Sequence, residues 1–366
     1  RRAAPVGSGS VASPALTLSW RIALHRGLPA LLGLCLGFRR IIDADVFWHL
    51  SMGRAVLREH SRVVSEPSAL FNWTEPCVAK DWLWDVSTYA LYKAGGFGLL
   101  SLLPSVFGAA IGYRAARFLE VGRDTPPRLM QTLLAIFALS ACAELLDTRP
   151  NLIFLTLLLA CIELSLRFVK ADNSQRLPLG AALVGMQLFW AQVHSSLVYG
   201  PVVFGLVALE AQLRERGSLT ERRAQLVQQA AVLAGMLAAC ITGAAGLGVV
   251  QLVLTHLAGD ATRHIQDMRP FEWSEFSLDW HVPLTITLFA LLGGAGVIAA
   301  GARSGFGIGL LLLGAALTAN SGRFVFSWSL LLLPWAAAGV RALESGISAR
   351  SFERLERCVA CMALFA

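Results

Sequence analysis

Apolar stretches recur along the whole chain, and polar residues gather at every second junction between them. The stretches fall near 24–42, 97–117, 129–146, 151–168, 177–193, 197–213, 225–245, 282–301, 305–320 and 324–340. Each approaches the roughly 20 apolar residues with which an α-helix crosses the hydrocarbon core. A shorter piece, 246–258, reads as interfacial or re-entrant. Residues Cys358 to Ala366 look like the opening of one more span, and the chain begins without Met, so a fragment of a longer protein is expected. The pattern predicts an all-α polytopic membrane protein, one transmembrane domain over 1–366 with about ten or eleven spans.

The segment from 43 to 96 breaks this rhythm. It is long and too polar to span, and it predicts two helices lying on the membrane surface with a turn-rich middle. The first, near 45–60, places Val46, Leu50, Gly53 and Leu57 on one stripe and Arg54, Arg58 and Glu59 elsewhere, the pattern of an interfacial amphipathic helix. Ser65 to Pro76 carries the turn signals. The second helix starts near Asp81 and stops at Gly95-Gly96, a C-cap signal. Trp73, Trp82, Trp84, Tyr89 and Tyr92 suit the headgroup level.

Composition agrees: 55% of residues are hydrophobic and only 15% are charged, against about 25% charged in soluble domains. The net charge of +7 comes from basic residues in alternate loops, among them Arg114, Arg123, Arg167, Lys170, Arg176, Arg214, Arg222 and Arg350. By the positive-inside rule these loops are cytoplasmic, with the N-terminus. The basic balance thus reports topology, and membrane lipids rather than nucleic acid are the expected partner. The first loop holds Arg39, Arg54, Lys80 and other cations on the opposite side, but seven acids match them. The seven cysteines lack metal-like or disulfide-like spacing.

The candidate chemistry then falls on one face. Asp43, Asp45 and His49 follow the first span, and Asp45 and His49 share a helix face at a spacing of four. One carboxylate there is a candidate general base. The other, with His49, is a candidate ligand pair for a divalent metal ion or a positioner of an acceptor. The plainer reading is that either Asp caps the surface helix. Arg149, Arg263, Arg269 and Arg323 are candidates for gripping phosphate through guanidinium, or for snorkelling and pairing with acids; Arg149 has Asp147 beside it. His194 ends an apolar span, where it could orient a pyrophosphate, donate to a sugar, or satisfy a buried carbonyl. Glu272-Trp273 couples an acid to a ring that could stack on a sugar face. The glycine runs 243–248 and 293–296 suit close helix packing.

Together these residues resemble a bacterial group of the GT-C superfamily of membrane glycosyltransferases, similar to mannosyl- and arabinosyltransferase-like families. The resemblance runs over roughly 40–330. It rests on Asp43-Ala-Asp45 followed by Trp48-His49-Leu50, on Lys80-Asp81-Trp82-Leu83, Arg149-Pro150, Trp190 with His194, Glu272-Trp273, and Asn320 with Arg323-Phe324. Lys80-Asp81 stands where His-Glu is common, and Ile241-Thr242-Gly243 where an Asn-Pro turn is often seen. The resemblance implies inverting transfer of a sugar from a polyprenyl-phosphate donor to an extracytoplasmic glycan, lipid or protein acceptor. The setting would be the bacterial inner membrane with a periplasmic site. Asp43 would be the base, with Asp45 and His49 assisting or binding metal. Arg149, His194 and Arg323 would hold phosphate, while Asp81, Glu272 and Trp273 would bind acceptor or sugar. Two rival readings stay open: a non-catalytic GT-C-like scaffold subunit, and a transporter of a lipid-linked substrate.

Overall fold

A computed structural model describes residues 14–41, 43–65, 76–120, 129–214, 218–248, 251, 291, 330–333 and 335–341. They are mostly helical, as a membrane protein of this pattern requires. Among the described residues, helices run in chain order as α1 (Pro14–Gly37), α2 (Asp45–Glu59), α3 (Trp82–Glu120), α4 (Leu129–Ala141), α5 (Asn151–Lys170), α6 (Asn173–Val193), α7 (Tyr199–Arg214) and α8 (Leu219–Cys240). Short 3-10 turns, Ala143–Leu145 and Ser195–Val198, precede α5 and α7. Among the described residues three helices are long and apolar enough to cross a membrane: Trp82–Glu120, Asn151–Lys170 and Ser195–Leu213. The expected spans at 282–301, apart from 291, and 305–320 lie outside the described residues, whereas 330–333 and 335–341 are helical and mostly buried, with Arg341 exposed.

Several ends differ from the hydrophobic pattern for local reasons. Helix α1 stops at Gly37 rather than 42 because Arg39 folds back, donating to the Leu36 carbonyl (2.9 Å) and to the Ala143 carbonyl (2.6 Å). Helix α8 starts early at a capping box, in which the Ser218 hydroxyl accepts from Glu221 N–H and the Glu221 carboxylate accepts from Ser218 N–H. Both helices expected in the first loop are present, but the middle of that loop is flanked by an antiparallel ribbon, β1 (Val63–Ser65) on β2 (Pro76–Val78). The second helix of the first loop ends at Gly95-Gly96 as expected, both residues leaving helical geometry. The chain bends there, Gly96 taking φ of 62° that only glycine adopts freely, and continues as the span of α3.

Helix α2 corrects one expectation. Val46, Leu50 and Gly53 are buried, but Leu57 is 45% exposed, and Met52, Ala55 and Val56 are buried instead. The helix packs on α3 and on the ribbon together, which turns its apolar face toward Val64, Ala79 and the half-buried Trp82. A second small cluster joins Val46 and Leu50 to Leu100 of α3. The main core lies among α3 to α8 and residues 330–340, built from Leu139, Leu155, Ile162, Trp190, Phe204 and their neighbours. Leu24, Leu28, Leu31 and Leu34 of α1, and Leu226, Val227 and Leu237 of α8, face outward and are exposed, as lipid-facing positions are.

The bundle has two chemically distinct ends. At one, Arg26 grips Glu120 (2.6 and 2.8 Å), and Arg114 and Arg167 both meet Glu163. At the other, the junction after α1 meets the one before α5, and the start of α3 meets the junctions after α6 and after α8.

Candidate functional site

The junction after α1 delivers Asp43 and Asp45, and the junction before α5 delivers Arg149. Asp43 serves two partners. Its Oδ1 accepts the Asp45 N–H (2.9 Å), which steadies the entry to α2, and its Oδ2 is ion-paired with Arg149 Nε. Asp45 Oδ2 lies 3.6 Å from the same guanidinium nitrogen. Capping and charge chemistry therefore meet in one residue. Asp147, the neighbour that sequence offered Arg149, lies 3.8 Å from Arg39. Two carboxylates share one guanidinium in a half-buried setting, so the cluster has acidic charge to spare.

One turn into α2, His49 is buried against α3. Its Nδ1 donates to Asp85 Oδ1 across 2.6 Å. The contact depends on the absence of a side chain at Gly53, where a Cβ would stand 2.1 Å from the Asp85 carbonyl oxygen. The two helices can therefore approach closely enough for an imidazole to reach a carboxylate without a spacer. Asp45 and His49, expected as a ligand pair, turn to different partners. Among the described residues no group of three or more His, Cys, Asp or Glu is arranged to hold a metal ion.

Asp81 opens α3 one turn before Asp85. Its Oδ1 is sealed from solvent without a hydrogen-bond partner among the described residues, while the Ser195 backbone reaches the carboxylate. Burial, with the Asp85 charge added, pushes its pKa from 3.8 up to about 6. The folded carboxyl thus binds its proton more tightly than the unfolded chain does. The resulting penalty is fully present above pH 6, shrinks as pH falls, and vanishes below about 4. Asp81→Asn should therefore stabilise the protein by about 1–3 kcal/mol at pH 7.5. The gain over wild type should close as pH falls to 4 in thermal unfolding scans of detergent-solubilised protein. A gain that persists unchanged at pH 4 would show that charge burial is not its source.

His194 ends α6 in extended conformation and stacks on Phe154 (5.7 Å between centroids, 16° between planes). Its Nδ1 accepts the Ser196 N–H (2.9 Å) and lies 2.5 Å from Ser196 Oγ, to which Trp190 Nε1 also donates (3.1 Å). With Nδ1 accepting a backbone N–H, the ring proton belongs on Nε2. Through Nδ1 the ring caps its own turn. Phe154 lies in the first turn of α5, just after Arg149, and Ser195 adjoins Asp81, so His194 stands between the two acid groups along the chain of contacts. Trp82 Nε1 donates to Gln192 Oε1 (2.9 Å), and Gln192 donates to Thr242 (3.1 Å), tying the first loop to α6 and the turn after α8. Lys80 and Gly243 line one cleft with Ser195 and Gly246, so the two departures from the resembled pattern are neighbours. Glu272, Trp273, Arg323, Arg263 and Arg269 lie outside the described residues.

Asp85 and Gln192 had no place among the sequence candidates. Asp85 was signalled by its spacing of four from Asp81, the same helical rule that paired Asp45 with His49. Gln192 carried no signal of its own, a single amide at the end of an apolar helix. No protein-family model matches the chain, and no curated protein matches it either.

Proposed function

We propose that the chain is a membrane glycosyltransferase of GT-C type, moving a sugar from a polyprenyl-phosphate donor to an acceptor outside the cytoplasm. One observation carries this reading. Asp43, Asp45, Arg149, His49 and Asp81, drawn from separate stretches of sequence, gather at one end of an apolar bundle. The donor's lipid would lie in the bilayer, its phosphate at Arg149, and its sugar toward the acids. A bidentate guanidinium suits phosphate, and a donor phosphate would compete with Asp43 for it. The carboxylates would then face the positive charge that develops at the anomeric carbon as phosphate departs. The base belongs to the Asp43–His49 stretch, and His194 offers a donor to phosphate or sugar. Glu272, Trp273 and Arg323 keep the roles that the resemblance implies.

A second reading is favoured by the same ion pair. Asp43 and Arg149 could simply clamp the first loop to α5 in a non-catalytic scaffold subunit. Asp43→Asn and Asp45→Asn, made separately in the native host, decide between the two. On the transferase reading each lowers one envelope glycan by at least about tenfold, with build-up of its lipid-linked donor at normal protein level, read by mass spectrometry. Unchanged glycans with both variants stably inserted would leave the scaffold.

A further inference from the structure

Within the transferase reading the resemblance implies Asp43 as base with His49 assisting, yet the surroundings of the two differ. Asp43 is committed on both oxygens, one to a backbone N–H and one to Arg149. It must surrender the guanidinium before it can take a proton. His49 has its Nδ1 committed to Asp85 and makes no hydrogen bond through Nε2 among the described residues. That nitrogen is also absent from the sealed, unpartnered polar atoms that include Asp81 Oδ1 and Trp84 Nε1. The His49 side chain keeps 11% exposure, against 4% for Asp85. The ring is therefore anchored by its inner nitrogen and open at its outer one. This is the geometry in which a carboxylate fixes the tautomer and leaves a lone pair on the other nitrogen.

We infer that His49 Nε2 is the proton acceptor of the proposed transfer and that Asp85 is its positioning residue. The inference rests on the transferase reading. The acceptor's O–H or N–H gives its proton to Nε2 as its heavy atom forms the new bond to the anomeric carbon. The anomeric carbon–oxygen bond to phosphate breaks, and polyprenyl phosphate leaves with the electron pair. The imidazolium, held against the Asp85 carboxylate, then returns its proton to water. Asp81, one turn before Asp85, adds a carboxylate near the same ring, so the transient cation forms among acids. A pair that merely joined α2 to α3 would have no need of an outward nitrogen.

The test combines a spectroscopic signature with the transfer itself. Nitrogen-15 NMR of histidine-labelled protein in nanodiscs should show His49 protonated on Nδ1 and bare on Nε2. Asp85→Asn, which can donate as well as accept, should shift that population toward the other tautomer. A proton found on Nε2 in the wild-type protein would overturn the inference without any variant. In the host, His49→Gln should lower transfer by roughly 10²–10⁴-fold, the usual worth of a general base. If Asp43→Asn disturbs a lipid-linked sugar while a normally inserted His49→Gln does not, the inference falls and the transferase stands. If neither variant changes any lipid-linked sugar, both fall.

Discussion

Arg149→Met is expected to be the most damaging single change at the site, and Asp43→Asn on top of it to restore much of the lost stability. The guanidinium is the shared partner of Asp43 and Asp45, and the Asp43 side chain is only 11% exposed. Removing Arg149 leaves two carboxylates facing each other at the edge of the bundle, one of them nearly out of water. A stranded, partly buried charge costs about 2–4 kcal/mol. Neutralising Asp43 removes the repulsion and the stranded charge together, so the double variant should regain more than half of that loss in chemical or thermal unfolding. Transfer in the double variant should fall below that of Asp43→Asn alone, because the phosphate has lost its guanidinium. That split separates the two roles of Arg149. If the double variant recovers stability and transfers as well as Asp43→Asn alone, Arg149 is a structural clamp and nothing more. If Asp43→Asn fails to rescue, the ion pair is not what Arg149 contributes.

Much of this site was legible in the sequence because charge in an apolar chain is costly and so conspicuous. Asp43, Asp45, His49 and Arg149 stood out for that reason, and alternate loops of basic residues placed them on one face. Pairing was not legible. Nearest-neighbour reasoning gave Arg149 to Asp147 and His49 to Asp45. The fold gives Arg149 to Asp43, 106 positions away, and His49 to Asp85, 36 positions away. Both choices depend on how junctions meet, which no local spacing encodes. The ribbon of β1 and β2 was hidden for a different reason. Three-residue strands beside turn residues show no period, and Pro76 argues for a turn as strongly as for an edge position. Leu57 misled because a stripe drawn at 46, 50, 53 and 57 assumes one partner, whereas α2 packs against two.

The largest effect on folding is expected where glycine was not singled out. Gly33 of α1 faces Gly108 of α3, while Gly37 faces Pro104 and Gly112 faces Pro29, so small-xxx-small spacings on the two helices meet along one seam. A Cβ on Gly33 would lie 2.0 Å from the Gly108 carbonyl oxygen, and one on Gly108 2.2 Å from the Gly33 carbonyl oxygen. At Gly37 and Gly112 the distances to the Pro104 and Pro29 carbonyl oxygens are both 2.2 Å. These are backbone atoms, so no rotamer change can yield room, and the helices would have to part by about 1 Å. In lipid, apolar burial gives helices no reason to associate, and such close contact is what joins them. Gly108→Leu should therefore cost more than the roughly 1–3 kcal/mol of ordinary overpacking, and the protein should lose its monodisperse peak in size-exclusion chromatography. Gly27→Ala and Gly98→Ala are the matched controls, one on each helix, where a Cβ meets nothing within 4 Å; both should be neutral or slightly stabilising. The seam also reaches the site. Arg39 and Asp43 follow the end of α1, and Asp85 sits on α3, so prying the two helices apart would displace the acid cluster relative to His49. Gly37→Ala, nearest that end, should thus impair transfer more than its loss of stability alone accounts for. Equal losses for Gly37→Ala and Gly112→Ala, which lies toward the other end, would show that the seam supports the fold without setting the site.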